Sequence, residues 1–289
     1  PCPQLEQHAG IWRFEEGTTN LTRKDGERFA TGIRSIVGMD WNQQDDQLYA
    51  VVHGRDDLLR LFADRFSPWE SAMFPSEEFI RVTEDSDFGW PYCYYDQLQK
   101  KKVLNPEYGG DGTKVGRCGT FMLPEMGFPG HWAPNELHFY QGDQFPERYR
   151  NGAFIAFHGS TNRTPYPQSG YFIGFVPFEN GRISGTWEIF ADGFAGIDTI
   201  ENTRDAHYRP MGIATGPDGS LYVSDTEKGK IWRIMYTGKK EDFVEASLAG
   251  MEERKMLSHI KTPDILEDNL QKDVNIAGAD IYNTYCGTC

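Results

Sequence analysis

The chain has 289 residues, 43 of them acidic and 29 lysine or arginine, for a formal net charge of −14. That balance excludes a nucleic-acid binder, which needs a clustered basic surface to neutralise phosphates. No apolar run approaches the ~20 residues that cross a bilayer as a helix, so no membrane span is expected in this chain. With 31 glycines, 16 prolines and 14% aromatic residues, and few amphipathic helical stretches before residue 240, the composition predicts an all-β fold: a sandwich, barrel or propeller.

Position 1 is proline, and the chain reads as a window of a longer protein. In chain order, residues 31–41 read as a strand, a polar turn follows, and 47–52 is a second strand. A third, 79–82, comes after a long insertion. Cys93 and Cys118 flank a loop rich in Gly and Lys and are expected to pair in an oxidising compartment, whereas Cys2 has no evident partner. A looser copy of the phrase takes 135–140, 152–158 and 171–176. It returns as 208–214, the turn Pro217-Asp218-Gly219, 220–225 and 230–236, with Gly219 supplying the positive φ of a hairpin bend.

Self-similar units of roughly four strands and ~40–50 residues mark a β-propeller. About four such units fit between residues 9 and 237. An open arc would expose sheet edges, so further blades are expected upstream. Residues 1–237 are therefore read as a partial propeller, 238–273 as a charged, helix-permissive linker, and 274–289 as the start of a second domain. That last stretch ends in Cys286-Gly287-Thr288-Cys289 after a helix-like 277–285. It reads as the opening of a cytochrome c domain, haem c being held covalently through Cys286 and Cys289. A zinc half-site, a redox dithiol and a chance pairing remain open.

Ligand groups in a propeller sit where inner strands end near the channel mouth. Arg34 falls within an apolar, strand-like phrase, where an unpaired guanidinium would be costly. Arg209 occupies the matching slot of the later repeat, with His207 two residues before it on the same side of a strand. Residues 52–57, including His53, Gly54, Arg55, Asp56 and Asp57, follow one strand. Residues 157–163, including His158 and Arg163, follow another. Two arginines at matched positions could converge on one anionic ligand through their planar donor forks, or each could pair with an Asp of a neighbouring blade. Asp56 and Asp57 with nearby carbonyls suit a hard cation such as calcium, or form a solvated acidic turn. Residues 87–92 read as an aromatic plug, by default packing and alternatively a surface for carbohydrate stacking. The turn-rich loop 128–134 could reach the channel mouth. No Gly-x-Gly-x-x-Gly, Walker loop or Gly-x-Ser-x-Gly elbow is present.

Taken together, Ala30-Thr31-Gly32-Ile33-Arg34, Asp87-Phe88-Gly89-Trp90-Pro91-Tyr92, Phe157-His158-Gly159-Ser160 with Asn162-Arg163, and Tyr208-Arg209-Pro210 resemble the glucose/sorbosone dehydrogenase family. The resemblance implies a six-bladed quinoprotein propeller that uses pyrroloquinoline quinone (PQQ) and calcium, some members being fused to a cytochrome c domain. It implies oxidation of a sugar, polyol or related alcohol or aldehyde, with electrons passing to a haem, an acceptor cytochrome or a respiratory chain. Arg34 would lie near the quinone with Ser35 beside it. Arg209 and His207 would contact its carboxylates, with Arg163 or His158 near another. Gly54 and Arg55 would offer carbonyls to the calcium, with Asp56 and Asp57 adjoining. The general-base histidine is expected upstream of this chain. A periplasmic or secreted location would follow. The alternatives are a calcium-dependent lactonase-type propeller and a propeller that only binds.

Overall fold

The computed structural model describes residues 3–263. Cys2, the stretch 264–273 of the expected linker, and the expected second domain with Cys286 and Cys289 lie outside the described residues. The chain opens with β1 (Gly10–Arg13) and β2 (Glu27–Thr31), paired antiparallel. Then come β3 (Ile36–Asn42), β4 (Gln47–Val52), two short helices α1 (Leu58–Leu61) and α2 (Pro68–Met73), and β5 (Glu77–Val82). Strand β6 (Ser86–Asp87) joins β2 in parallel. The hairpin β7 (Cys93–Asp96) and β8 (Lys101–Leu104) leads to β9 (Met126–Phe128), which completes the four-stranded sheet β3-β4-β5-β9.

The next sheet is β10 (Pro134–Phe139), β11 (Ala153–Phe157), β12 (Phe172–Val176) and, after the small hairpin β13 (Phe178–Glu179) and β14 (Arg182–Ile183), β15 (Glu188–Ala191). The last is β16 (Pro210–Thr215), β17 (Leu221–Asp225) and β18 (Ile231–Ile234). These are successive meandering sheets of propeller type, and among the described residues they form no closed ring. The expected disulfide between Cys93 and Cys118 is present.

Strand periodicity explains how the sheets stack. In β11, successive side chains point to opposite faces. Ala153, Ile155 and Phe157 join Tyr49, Val51 and Phe79 of the preceding sheet in one core, while Phe154 and Ala156 join Ile213, Leu221 and Val223 of the following sheet in another. Strand β4 divides likewise: Tyr49 and Val51 face forward, and Ala50 and Val52 face back to Ala30, Ile33 and Phe88. Both faces of a middle strand are buried, so its sequence is a continuous apolar run rather than an alternation. Each fully buried Phe or Ile removed from water contributes ~1.5–3 kcal/mol.

The inner strands sit close together. A Cβ on Gly38 would lie 2.6 Å from the backbone of Glu136, so glycine lets β3 approach β10. Asp40 accepts from the Phe139 N–H at 2.7 Å, and His138 Nε2 lies 2.6 Å from Thr215 Oγ1, which links β10 to β16. The hairpin between β16 and β17 bends at Gly219 with φ +78°, as its sequence required.

One strand differs from the sequence expectation. Residues 32–35 do not belong to a strand: β2 ends at Thr31 and β3 begins at Ile36. Gly32 turns the chain with φ +69° against Asp87 and Gly89. Arg34 therefore stands in a turn between two sheets and not inside one. The described part of the expected linker, 238–263, lies along the propeller as a strap. Phe243 packs against Tyr149 and Tyr236, and His259 and Ile260 are each only 2% exposed.

Candidate functional site

The turns before the inner strands and after the second strands meet at one end of the sheets. They enclose a cavity of about 220 Å³ lined by Arg34, His53, Gly54, Asp56, Glu77, His131, Ala133, Asn135, residues 158–162 and Arg209. The loop 128–134 does reach this mouth, through His131 and Ala133.

Each arginine grips a His-Gly turn. Arg34 Nη1 donates to the Gly54 carbonyl at 2.7 Å and to the His53 carbonyl at 3.4 Å. Arg209 Nη2 donates to the Gly159 carbonyl at 2.7 Å, and its Nε to the His158 carbonyl at 3.2 Å. Neither arginine spends its full fork on a carboxylate: Arg34 Nη2 stands 3.8 Å from Asp56, and Arg209 Nη1 3.6 Å from Glu227. Both keep donor capacity for an anion entering the cavity. The backbone N–H of Arg209 is held by Asp225 Oδ1 at 2.7 Å.

Glu77 ties the floor together. It is 2% exposed, and its two oxygens accept from Gly54 N–H at 2.8 Å and Ala133 N–H at 3.1 Å. Burial pushes its carboxyl up, opposed by the charge of His53 and by these backbone donors. His131 bridges Asp56 Oδ1 at 3.1 Å and the Ser71 carbonyl at 2.8 Å. Burial works against the Asp56 charge, yet His131 and Arg34 outweigh it and hold the carboxyl below its usual range. His53 Nε2 meets the Pro134 carbonyl at 3.0 Å. Burial, then the charges of Arg209 and His53, push His158 down to about 4, so its imidazole is neutral at physiological pH. Its Nε2 is 2.8 Å from Thr226 Oγ1.

The sequence-derived residues thus separate into two groups. Arg34, Gly54, Asp56, His158 and Arg209 share the cavity, and Ser35 supports it by accepting from the His53 N–H at 2.9 Å. The side chains of the others do not line it. Arg55 turns away into an ion pair with Glu107 and lies over the Phe62 ring. Asp57 pairs with Arg60 at the start of α1. Arg163 is 1% exposed beneath the loop, with Nε and Nη1 lacking hydrogen-bond partners, and burial pushes its guanidinium down to about 10. His207 is exposed, its ring lying against Gly196; because β16 begins only at Pro210, strand alternation does not extend back to align it with Arg209. Glu77 was not singled out by sequence, although its period-two relation to buried Phe79 marks it as inward-facing.

The donor set suits a planar anion: two guanidiniums with unspent N–H groups, a neutral imidazole and polar turn residues. A hard cation would find Asp56 and the Gly54 carbonyl, but Arg34 now donates to that carbonyl. Among the described residues no three His, Cys, Asp or Glu side chains converge on one point.

The fold and the sequence have relatives. An uncharacterized protein of Borreliella burgdorferi is 30% identical over 219 residues, covering 75% of this chain and 51% of that protein. Two solved structures of the Trichoderma reesei Carbohydrate-Active Enzymes Family AA12, an iodide structure and a calcium structure, superpose with TM-scores of 0.64 and 0.62. Both are 21% identical, over 79% of this chain and 60% of theirs. The chain thus spans about half the length of the curated relative and about three fifths of the solved ones. A family profile described as TrAA12-like matches residues 7–237, nearly the whole of the propeller sheets, and the chain belongs to that family.

Proposed function

We propose that this chain is the propeller portion of a quinoprotein oxidoreductase that oxidises a sugar or related alcohol or aldehyde, with PQQ and calcium as cofactors. The observation that carries the reading is the convergence of Arg34 and Arg209 on one cavity, each with donors to spare. A ligand with several carboxylates uses such donors bidentately. Membership of the TrAA12-like family supports it, as do the relatives named as carbohydrate-active, one of them a calcium structure.

When bound, the quinone would supply a two-electron acceptor. The protein's part is then positional. Arg34 would exchange the Gly54 carbonyl for a ligand carboxylate, which frees that carbonyl, beside Asp56, for a hard cation. Arg209 would hold a second carboxylate while its Nε keeps the His158–Gly159 turn in place. Glu77 fixes the Gly54 and Ala133 turns against each other, so the two sides of the cavity keep their spacing. His158, held neutral, can accept a hydrogen bond from a substrate hydroxyl. The base that takes the substrate proton is proposed to be a histidine upstream of this chain.

The same proposal places electron transfer to a haem c held by Cys286 and Cys289, onward to an acceptor cytochrome or respiratory chain, in a periplasmic or secreted protein. The Cys93–Cys118 disulfide supports that compartment. A lactonase-type site would instead need several carboxylates around one metal. Here Glu77 is already committed to two backbone N–H groups, which leaves Asp56 largely alone. Absorbance titration with PQQ, with and without calcium, followed by dye reduction over a sugar and alcohol panel in the longer protein, tests the reading. Saturable quinone binding that Arg34→Ala and Arg209→Ala each weaken is expected. Quinone that does not bind, with or without calcium, would overturn it.

A further inference from the structure

A second cleft, of about 180 Å³, lies beside the central cavity and is walled by Trp90, Tyr92, Phe121, Arg28, Arg117 and Asp87. Trp90 links the two: it lines this cleft, and Arg34, which lines the central cavity, lies over its ring at 5.8 Å. The Arg117 guanidinium stacks 4.0 Å over the Tyr92 ring and 5.8 Å from Phe121. It makes no hydrogen bond or ion pair with any described residue, so all five of its N–H groups are unspent. Arg28 places a buried Nε, also without a partner, in the same wall. The disulfide joins the residues next to Tyr92 and Arg117, which fixes the stack. Phe121 fits over Gly89, where a Cβ would come within 2.6 Å of its ring.

Arg117 is exposed, with its flat face held by two rings and its N–H edge left open to the cleft. Two carboxylates line the same cleft, Glu6 and Asp87, the latter with Oδ1 accepting from the Gly89 N–H at 2.9 Å. Aromatic walls with a planar donor fork and a carboxylate acceptor match a ring that carries hydroxyls around its edge and C–H groups on its faces. Such a ring is apolar face-on and offers both donors and acceptors edge-on.

We propose that this cleft is a binding subsite for a neutral pyranose unit of a longer carbohydrate, placed next to the central cavity. Its purpose, though not its binding, rests on the oxidoreductase reading: the cleft would hold a sugar unit remote from the reacting one. Binding energy from a remote unit is a general way to position a reacting centre.

Calorimetric titration of the chain with neutral gluco-, galacto- and manno-oligosaccharides and with the corresponding monosaccharides, with tryptophan fluorescence as a second readout, tests it. Saturable binding of at least one oligosaccharide, tighter than its monosaccharide, is expected. Arg117→Ala should weaken it by about tenfold, in keeping with loss of hydrogen bonds to a charged donor. Arg117→Lys should recover little of it, because the ammonium lacks the planar fork. Arg60→Ala, at an exposed position of α1 that does not line the cleft, should change nothing. Thermal unfolding of each variant separates lost binding from lost fold. No oligosaccharide binding, binding that Arg117→Ala leaves intact, or a preference for the matching oligouronides would each overturn the proposal. PQQ titration of Arg117→Ala keeps the two readings apart. Failure of quinone binding with sugar binding intact sinks the function and leaves the subsite, and the converse sinks the subsite alone.

Discussion

Two histidines show how differently the cavity and the strap are built. His158, at the cavity, is surrounded by Arg209 and His53, so burial and charge act in the same direction and leave it neutral. His259, in the strap, is deeper at only 2% exposed, and burial alone would lower it as well. There, however, Asp192 meets its Nε2 at 2.9 Å and Asp198 its Nδ1 at 3.0 Å. Those hydrogen bonds and charges outweigh desolvation and raise its pKa. The difference teaches that the strap is clamped by a completed ionic network, whereas the cavity arginines stand 3.8 and 3.6 Å from Asp56 and Glu227 and keep N–H donors free. A region that satisfies its own charges is structural, and one that leaves them unspent is prepared for a ligand.

The contrast is broken most severely at Asp192. Its side chain is fully buried and joins Arg254 at 2.6 Å to His259. Removing one partner from such a network leaves charge uncompensated, so Asp192→Ala should cost ~3–5 kcal/mol. Urea denaturation would read the loss, and limited proteolysis should then cut within 249–263. A variant that unfolds at the wild-type midpoint would show that the strap does not need its clamp. At the cavity, Glu77→Gln should cost ~1–3 kcal/mol, because one backbone N–H would face an NH2 group in place of an oxygen. The same variant should weaken PQQ binding by letting the Gly54 and Ala133 turns drift, and unchanged quinone affinity would limit Glu77 to folding.

The sequence made the sheets legible for a physical reason: blades bury both faces of their middle strands, so 47–52, 152–158 and 171–176 announce themselves as apolar runs. Repetition then located Arg34 and Arg209, and each does stand before an inner strand. What could not be read is what those arginines hold. Their partners are backbone carbonyls, which carry no residue identity. Arg209 draws on a turn about fifty positions away in the preceding sheet. His207 was misplaced because a strand period was extended through residues that are not in a strand. The strap was read as a connector because its anchors, Asp192 and Asp198, lie more than sixty residues from His259 and a charged segment looks solvated until its counter-charges are placed.

The two cavity arginines should not be equivalent. Arg209 joins adjacent sheets and its side chain is 13% exposed, whereas Arg34 grips a turn of its own sheet and is 30% exposed. Arg209→Ala should therefore lower stability by ~1.5–3 kcal/mol, as for hydrogen bonds from a charged donor. Arg34→Ala should lower it by less and act mainly on quinone binding. Denaturation midpoints and PQQ titrations of both variants sharpen the point: equal losses of stability would erase the distinction between a staple and a ligand donor.

The smallest effect is on pH dependence, where the two histidines should pull in opposite directions. An unfolded chain protonates either one near 6.5. His158 titrates at about 4 when folded, so between those values the unfolded state binds the extra proton and stability rises with pH. His259 is raised, so its contribution is complete below 6.5 and is lost as pH climbs through its folded value. His158 thus gives a rising limb and His259 a falling one, with the raised Glu77 carboxyl opposing the rise above 4.5 and Asp56, Asp192 and Asp198, all lowered, adding a further loss in strong acid. Urea midpoints measured from pH 4 into the alkaline range should show both limbs. His158→Gln should flatten only the limb between 4 and 6.5, and His259→Gln only the decline above 6.5. If His259→Gln keeps that decline, an imidazolium does not hold the strap, and the ionic clamp between Asp192 and Asp198 loses its central member.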